Sequence, residues 1–280
     1  MANGPPRAFV CGHPIGHSRS PLIHRYWLDE LGLSGSYDPV DVAPKNLADF
    51  LSGVGAGGWA GGNVTIPHKE HAFRLVARRD RAAERIGAVN TLWLENGGLA
   101  GGNTDAYGFA ANLDAHSREW RNAETAIVLG AGGAARAVVH ALREAGIPSI
   151  RIANRTTARA EALAAAFGLG ATGHSWSGVH ELLPTSDILV NTTSLGMAGQ
   201  PPLDLDIAAM PAKSIVTDVV YTPLETPLLR LARAMGLVAV DGLGMLLHQA
   251  VPGFERWFGK KPVVSAALRA HIVADLEKSR

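Results

Sequence analysis

Apolar positions along this chain recur in two alternating rhythms. Short β-rich runs at 7–12, 36–42 and 58–66 are each followed by a helical pattern, at about 21–32, 44–52 and 67–78. Repeated strand-then-helix units predict a parallel-type sheet covered by helices, because a parallel neighbour needs a long crossover and a helix supplies it. Residues 88–105, AVNTLWLENGGLAGGNTD, break that rhythm: Asn96, Gly97 and Gly98 divide two β-like arms, which predicts a hairpin. From residue 124 the alternation resumes in ETAIVLGAGGAARAVVHAL, SIRIANRTTARAEALAAAFG, DILVNTTS, SIVTDVVYTP and LVAVDG, each a predicted strand and most followed by helix-forming sequence. That is a doubly wound α/β pattern of the nucleotide-binding kind. LAAAFGLGATG, residues 163–173, reads only as a stretch of small residues. The tail from Gly244 is helical with no strand of its own, so it must pack on something already built. The expected division is a first domain over 1–105, to which helices of 245–280 return, and a second over 106–244.

Composition narrows the partners. The chain has 280 residues, 47% hydrophobic and 18% charged, which is material for more than one core. Its 26 Lys plus Arg stand against 25 Asp plus Glu, so no charge surplus points to nucleic acid or a membrane surface. Small molecules are the expected partners. Cys11 is the only cysteine, which excludes an internal disulfide and fits a reducing compartment, so the cytoplasm is expected. MANGPPRAFV carries no basic leader, and no stretch approaches the roughly 20 apolar residues that span a bilayer.

The candidate chemistry begins at residues 130–135, GAGGAA, which follow the apolar run AIVL and open a helix. Gly130 and Gly132 let the backbone approach a pyrophosphate resting on the helix N-terminus, and the small Ala135 lets helix and strand pack closely. Asn154 stands 24 residues after Gly130, where an NAD site would place an acid. Arg155 and Arg159 follow it and can clamp a 2′-phosphate by charge-assisted hydrogen bonds, so NADP is the expected cofactor. In CGHPIGHSRSPLIH, Ser18 and Ser20 either grip a carboxylate or act as a helix cap plus a spectator. His13, His17 and His24 lack the spacing and companions of a zinc site, so no metal is expected. Asn63, Thr65, Asn90 and Asp105 fall at the ends of strand-like segments, where open α/β sheets gather their ligand sites. GNVTIPHKE adds a puzzle: Pro67 suits the first helical position, which puts Lys69 in the first turn of a helix. The peptide dipoles disfavour an ammonium there by roughly 0.3 to 1 kcal/mol.

Taken together, HPIGHSRSP, GNVTIPHKE, GAVNT, GNTDAYG, GAGGAARA, NRTTAR, DVVYTPLETPLL and DGLGMLLHQA resemble the shikimate dehydrogenase family, in the family's order and over nearly the whole chain. The resemblance implies an α/β protein of two domains, an N-terminal substrate domain and a Rossmann-type NADP domain, with a cleft between them. It implies reversible NADPH-dependent reduction of 3-dehydroshikimate to shikimate, a step of the pathway to chorismate and the aromatic amino acids. Carried over by motif, Ser18 and Ser20 would bind the substrate carboxylate, and Asn63, Thr65, Lys69, Asn90, Asp105 and Gln249 the ring hydroxyls, with Tyr221 nearby. Lys69 and Asp105 would be the catalytic pair, Lys69 moving the proton. NADP would rest on Gly130, Ala131, Gly132, Gly133 and Ala134 and on Asn154, Arg155, Thr156 and Arg159, with Val219 and Gly242 beside the nicotinamide. A monomer or homodimer is expected. Arg25, His68, Thr222 and Phe258 depart from the family pattern, and His68 puts a titratable ring next to Lys69. Serine at both 18 and 20 favours shikimate over quinate, the neighbouring activity on the same scaffold. A non-catalytic NADP-sensing module would lack the lysine or the aspartate; both are present.

Overall fold

The computed structural model describes residues 4–278. Two compact units result: unit 1 holds the described residues up to Thr104 and those from Leu247 onward, and unit 2 is Asp105–Leu246. Along unit 1 run β1 (Arg7–Gly12), α1 (Ser20–Glu30), β2 (Ser36–Asp41), α2 (Leu47–Ser52), β3 (Gly61–Val64), α3 (Lys69–Leu75), β4 (Arg78–Arg79), α4 (Arg81–Ile86), β5 (Thr91–Glu95) and β6 (Gly98–Gly102). The sheet order is β2-β1-β3-β5-β6-β4. Only part of it is parallel: β1 runs with β2 and β3, but β5 is antiparallel to both β3 and β6. The predicted hairpin is the reason. Asn96 and Gly97 adopt φ of 50° and 78°, the left-handed pair that a tight hairpin turn requires, and the chain reverses there. The sheet is therefore mixed rather than parallel.

Alternation sorts the faces. Phe9, Cys11 and Val64 join Leu47, Leu51, Ala72, Val76, Ala83, Val89 and Leu92 in one core cluster. The intervening positions present Tyr37, Gly61, Asn63 and Thr91 to the opposite face, because Ala8 pairs with Tyr37 and Gly61, Val10 with Asn63, and Asn63 with Thr91. At Gly61, φ is 154° and any Cβ would run into the Leu92 carbonyl and the Trp257 indole, so only glycine fits.

In unit 2 follow α5 (Asp105–His116), β7 (Thr125–Leu129), α6 (Gly133–Glu144), β8 (Ser149–Asn154), α7 (Thr157–Phe167), β9 (Ala171–Ser175), α8 (Val179–Leu182), β10 (Ile188–Asn191), β11 (Ile215–Asp218), α9 (Pro227–Ala234) and β12 (Val238–Val240). The sheet order is β12-β11-β10-β7-β8-β9, with every pairing parallel, the doubly wound arrangement. Two features differ from the sequence reading. The small-residue stretch supplies the edge strand β9, which has no apolar alternation and is a strand because β8 pairs with it. Between β10 and β11 no helix forms; Leu203, Leu205, Ile207 and Met210 cover the core from irregular chain instead. The chain ends in α10 (Leu243–Phe258), whose residues from Leu247 belong to unit 1, and α11 (Ala266–Lys278). Trp27 and Trp257 tie this tail down, donating to the Val263 carbonyl at 3.0 Å and the Leu92 carbonyl at 2.9 Å.

Candidate functional site

Unit 1 builds a hydrogen-bonded platform from the ends of its strands. Asn63 Nδ2 donates to the Asn90 carbonyl at 2.9 Å and lies 3.2 Å from Thr91 Oγ1. A carbonyl only accepts, so the amide is held with Oδ1 turned the other way, where the Tyr37 hydroxyl donates to it at 2.6 Å. Asn90 Oδ1 takes the Thr104 backbone N–H at 2.9 Å and the Thr91 hydroxyl at 2.9 Å. Its amide is thereby fixed too, with Nδ2 as the donor on the other side. Thr104 Oγ1 stands 3.2 Å from Asn90 Oδ1 and 3.5 Å from Gln249 Oε1. The platform thus brings together Asn63, Asn90 and Gln249, three of the residues expected on substrate hydroxyls. Asn63 is only 6% exposed and commits its amide inside the protein, so it orients its neighbours more than it reaches out.

Lys69 is attached to this platform by main chain. Its carbonyl accepts from Val89 N–H at 2.9 Å, one residue before Asn90. The helix starts later than expected: Pro67 lies in a turn closed by His68 N–H on the Thr65 carbonyl at 2.9 Å, and α3 opens at Lys69 itself. The lysine is half-buried at that first position. His68 is not a loose titratable neighbour. It is buried, and its Nε2 donates to the Val42 carbonyl at 2.6 Å, pinning the turn to the strand beyond.

The loop before α1 carries the serines. Asp41 holds it, accepting from His13 Nδ1 at 2.6 Å and from Ile15 N–H at 3.2 Å, and the histidine bond keeps the Asp41 carboxyl below its ordinary range. Ser18 Oγ receives a long bond of 3.4 Å from Ser20 N–H, while Arg19, the residue preceding the helix, caps nothing with its side chain. Ser20 is buried at the first position of α1. Thr65 is half-buried at the end of β3, its N–H on the Cys11 carbonyl at 2.9 Å. His13 thus serves Asp41 and His24 sits among rings; among the described residues no group of three or more His, Cys, Asp or Glu could hold a metal.

His24 has a measurable consequence. It is fully buried, stacked on Tyr37 at 3.8 Å and flanked by Trp27, Phe254 and Trp257, and neither ring nitrogen has a hydrogen-bond partner among the described residues. Burial pulls its pKa from 6.5 down to about 3. The unfolded chain therefore takes up a proton below pH 6.5 that the folded unit refuses until about pH 3, so stability is full above that window and falls with pH across it. The slope is about 1.4 kcal/mol per pH unit, or about 2 kcal/mol between pH 6.5 and 5. His24→Phe keeps the ring in its box and is expected to flatten that loss. Urea unfolding of both proteins at pH 7 and pH 5 checks it; equal losses would clear His24 of the effect.

In unit 2, β7 ends at Leu129 and α6 begins at Gly133 with Gly132 before it and no side-chain cap. Gly130 has φ of 104°, and a Cβ there would stand 2.7 Å from Thr192 Oγ1. At Gly132 and Gly133 no heavy atom of the described residues, chain neighbours and the helix's own backbone aside, lies within 4 Å of where a Cβ would be, so there is open space beside the start of a twelve-residue helix whose first N–H groups have no intrahelical acceptor, with Ala131 and Ala134 adjacent in the chain. That cradle fits a pyrophosphate. At the end of β8, Asn154 Nδ2 bonds the Thr156 carbonyl at 3.0 Å, and the exposed Arg155 and Arg159 make no ion pair with any described residue. This donor set fits a phosphorylated ribose. Val219 and Gly242 also come together: a Cβ on Gly242 would run into the Val219 carbonyl. Tyr221 is half-buried on the same loop, and Asp105 opens α5 one residue after Thr104.

Sequence reasoning missed the groups that brace these loops. Asp218, fully buried, accepts from Asn191 Nδ2 at 3.0 Å, Val220 N–H at 3.0 Å and Thr226 Oγ1 at 2.8 Å, and burial pushes its pKa up to about 6. It holds the Val219–Tyr221 loop. The available signal was polar residues ending two apolar strands, Asn191 and Asp218. Tyr37 was missed too, although a lone aromatic in the polar strand SYDPVD marks a side chain with a buried partner.

Comparison with known proteins matches three stretches in order: residues 10–92 to the model of a shikimate dehydrogenase substrate binding domain, 114–197 to shikimate/quinate 5-dehydrogenase, and 242–270 to a shikimate 5′-dehydrogenase C-terminal domain. The chain is 59% identical over 276 residues to a shikimate dehydrogenase (NADP(+)) of Mesorhizobium japonicum, covering 99% of each. Among solved structures it resembles shikimate 5-dehydrogenase of Thermus thermophilus in complex with NADP(H) and shikimate, at 38% identity and a TM-score of 0.84 over 98% of this chain and 100% of that one. It also resembles a quinate dehydrogenase of Corynebacterium glutamicum in complex with NAD, at 31% identity and a TM-score of 0.87 over 97% of this chain and 100% of that one.

Proposed function

The chain belongs to the shikimate dehydrogenase family, and on that premise we propose which of its residues do the work. It is an NADP-dependent oxidoreductase acting on a CH–OH group, interconverting 3-dehydroshikimate and shikimate in the shikimate pathway. Bound NADPH supplies the hydride that reaches the carbonyl carbon. Lys69 gives a proton to the carbonyl oxygen during reduction and takes it back during oxidation, paired with Asp105. Ser18 and Ser20 hold the carboxylate. Asn90, through its Nδ2 donor, holds a ring hydroxyl together with Thr65 and Gln249, and Tyr221 lies on the substrate; Asn63 keeps the platform aligned. Gly130–Ala134 cradle the pyrophosphate, Asn154, Arg155, Thr156 and Arg159 take the adenosine ribose and its phosphate, and Val219 and Gly242 border the nicotinamide. Residues up to Asp105 and those of 245–280 serve the substrate, and 106–244 the cofactor.

One observation supports the substrate assignment above the others: Asn63, Asn90 and Gln249, distant in sequence, share one bonded network, and the main chain of Lys69 is tied to it at 2.9 Å. The test is reduction of NADP⁺ and of NAD⁺, each with shikimate and with quinate. The expected result is turnover chiefly with NADP⁺ and shikimate. Equal or greater activity with quinate would move the protein to the quinate branch represented by the Corynebacterium enzyme. A cytoplasmic location, supported by the single cysteine, and a monomeric or homodimeric state complete the proposal. No helix among the described residues is long and apolar enough to cross a membrane.

A further inference from the structure

We propose that Asp218 is a positioning residue for the nicotinamide end of the cofactor: by holding the Val220 N–H it fixes the peptide unit whose carbonyl belongs to Val219. The inference rests on the reading above that Val219 and Gly242 border the nicotinamide. Asp218 ends β11, is fully buried and accepts three bonds, from Asn191 Nδ2 and Val220 N–H on Oδ1, both at 3.0 Å, and from the Thr226 hydroxyl on Oδ2 at 2.8 Å. Two of these donors have no choice of role. A main-chain N–H only donates. Asn191 is turned by other partners, since its Nδ2 also donates to the Leu195 carbonyl at 3.1 Å and its Oδ1 accepts the Thr193 N–H at 3.0 Å. Whatever stands at the Oδ1 position of residue 218 must therefore be an oxygen without a hydrogen. Burial pushes the Asp218 pKa up to about 6, so at neutral pH the group is a carboxylate and only accepts.

What that bond does to the loop follows from the planarity of the peptide. In a trans unit such as the one between Val219 and Val220, the carbonyl and the N–H point in opposite directions. The Val220 N–H points into the buried carboxylate, so the Val219 carbonyl points away from it, beside Gly242, where a Cβ would run into that same oxygen. The Val219 N–H is taken by the Asn191 carbonyl at 3.0 Å, which holds the preceding unit as well. The Thr226 hydroxyl gives its one hydrogen to Oδ2 and receives the Leu229 N–H at 3.4 Å, fastening the carboxylate to the start of α9. Without an acceptor at 218 the buried Val220 N–H is left unsatisfied, the peptide unit turns to find another partner, and the Val219 carbonyl turns with it. On the adenosine side, Gly130 N–H is held by the Ala153 carbonyl at 2.8 Å and Asn154 by the Thr156 carbonyl at 3.0 Å, bonds in which Asp218 has no part.

The experiment measures Kd by titration calorimetry for NADP⁺ and for adenosine 2′,5′-bisphosphate, a fragment that has the phosphorylated ribose and no nicotinamide. The proteins are the parent, Asp218→Ala, Asp218→Asn and Gly242→Ala. For Asp218→Ala the expected result is a rise of about 10-fold in Kd for NADP⁺, equivalent to about 1.4 kcal/mol, with the fragment within about 2-fold of the parent. Asp218→Asn keeps an oxygen for the Val220 N–H and is expected to bind NADP⁺ within about 3-fold of the parent. Gly242→Ala pushes on the Val219 carbonyl directly and is expected to weaken NADP⁺ but not the fragment. An unchanged Kd for NADP⁺ in Asp218→Ala, an equal loss for both ligands, or no recovery in Asp218→Asn would overturn the role of Asp218. An unchanged Kd for NADP⁺ in Gly242→Ala would instead remove the nicotinamide reading beneath it. If Asp218→Ala yields too little folded protein, hydrogen exchange of the parent decides: NADP⁺ should slow exchange of the Val220 amide more than the fragment does, and equal protection would reject the proposal.

Discussion

Lys69→Ala is expected to lower kcat by about 10³-fold while KM for shikimate changes by no more than a few-fold. A positioned acid or base contributes about 10² to 10⁴ in rate, and the middle of that range corresponds to about 4 kcal/mol of barrier. The split between kcat and KM follows from the role: an interaction made only as the proton moves is absent from the ground state. The Lys69 carbonyl accepts from Val89 N–H at 2.9 Å, and alanine retains that carbonyl and the helix start. Alanine also has the better helix propensity at the first position of α3, where the dipole disfavours an ammonium by up to about 1 kcal/mol, so helix formation itself does not oppose the variant. Steady-state rates with circular dichroism as the fold control settle the point. A kcat within tenfold of the parent would mean that Lys69 is not the proton-transfer group.

Replacing both Arg155 and Arg159 with alanine is expected to raise KM for NADP⁺ by about 10²-fold and to leave KM for NAD⁺ nearly unchanged. Hydrogen bonds to a charged group contribute about 1.5 to 3 kcal/mol each, and two exposed arginines belong at the low end, giving about 3 kcal/mol together. Neither arginine is committed to an acid of its own among the described residues, so the full charge is available to a 2′-phosphate. Asn154 is untouched, and its bond to the Thr156 carbonyl at 3.0 Å keeps the loop in shape for the ribose. Because both charges face solvent, the preference of the parent for NADP⁺ should also weaken as salt is raised past the roughly 0.1 M at which screening reaches about 10 Å. KM values for both cofactors at low and high salt give the answer; an unaltered NADP⁺ value would show that the phosphate is recognised elsewhere.

The regions read correctly from sequence are those whose rules are local. The Asn96–Gly97 turn and the glycine-opened helix after an apolar strand each follow from backbone freedom within a few residues. Hydrophobic rhythm likewise announced most strands and helices, because burial of a continuous face leaves a periodic trace. The failures share a cause as well. β9 is a strand only because β8 lies beside it, and the segment between β10 and β11 covers the core without a periodic pattern to betray it. Pro67 suited a helix start, but the bond from His68 to Thr65 makes a turn there and moves the start to Lys69.

The site divides in the same way. Residue types at strand ends were enough to nominate Lys69, Asn63, Asn90 and the two serines, since an open α/β sheet delivers its strand ends to the ligand. What those side chains do to one another depends on partners 26 or 27 residues away, as with Tyr37 and Asn63, His68 and Val42, or Asn191 and Asp218. Sequence alone determined the fold class, the cofactor and the family chemistry, because each is written in short runs with their own physical logic. Only the tertiary structure decided which way the amides of Asn63 and Asn90 face and which polar groups are buried. Those properties belong to the strand register and the packed rings, and no neighbouring residue along the chain carries them.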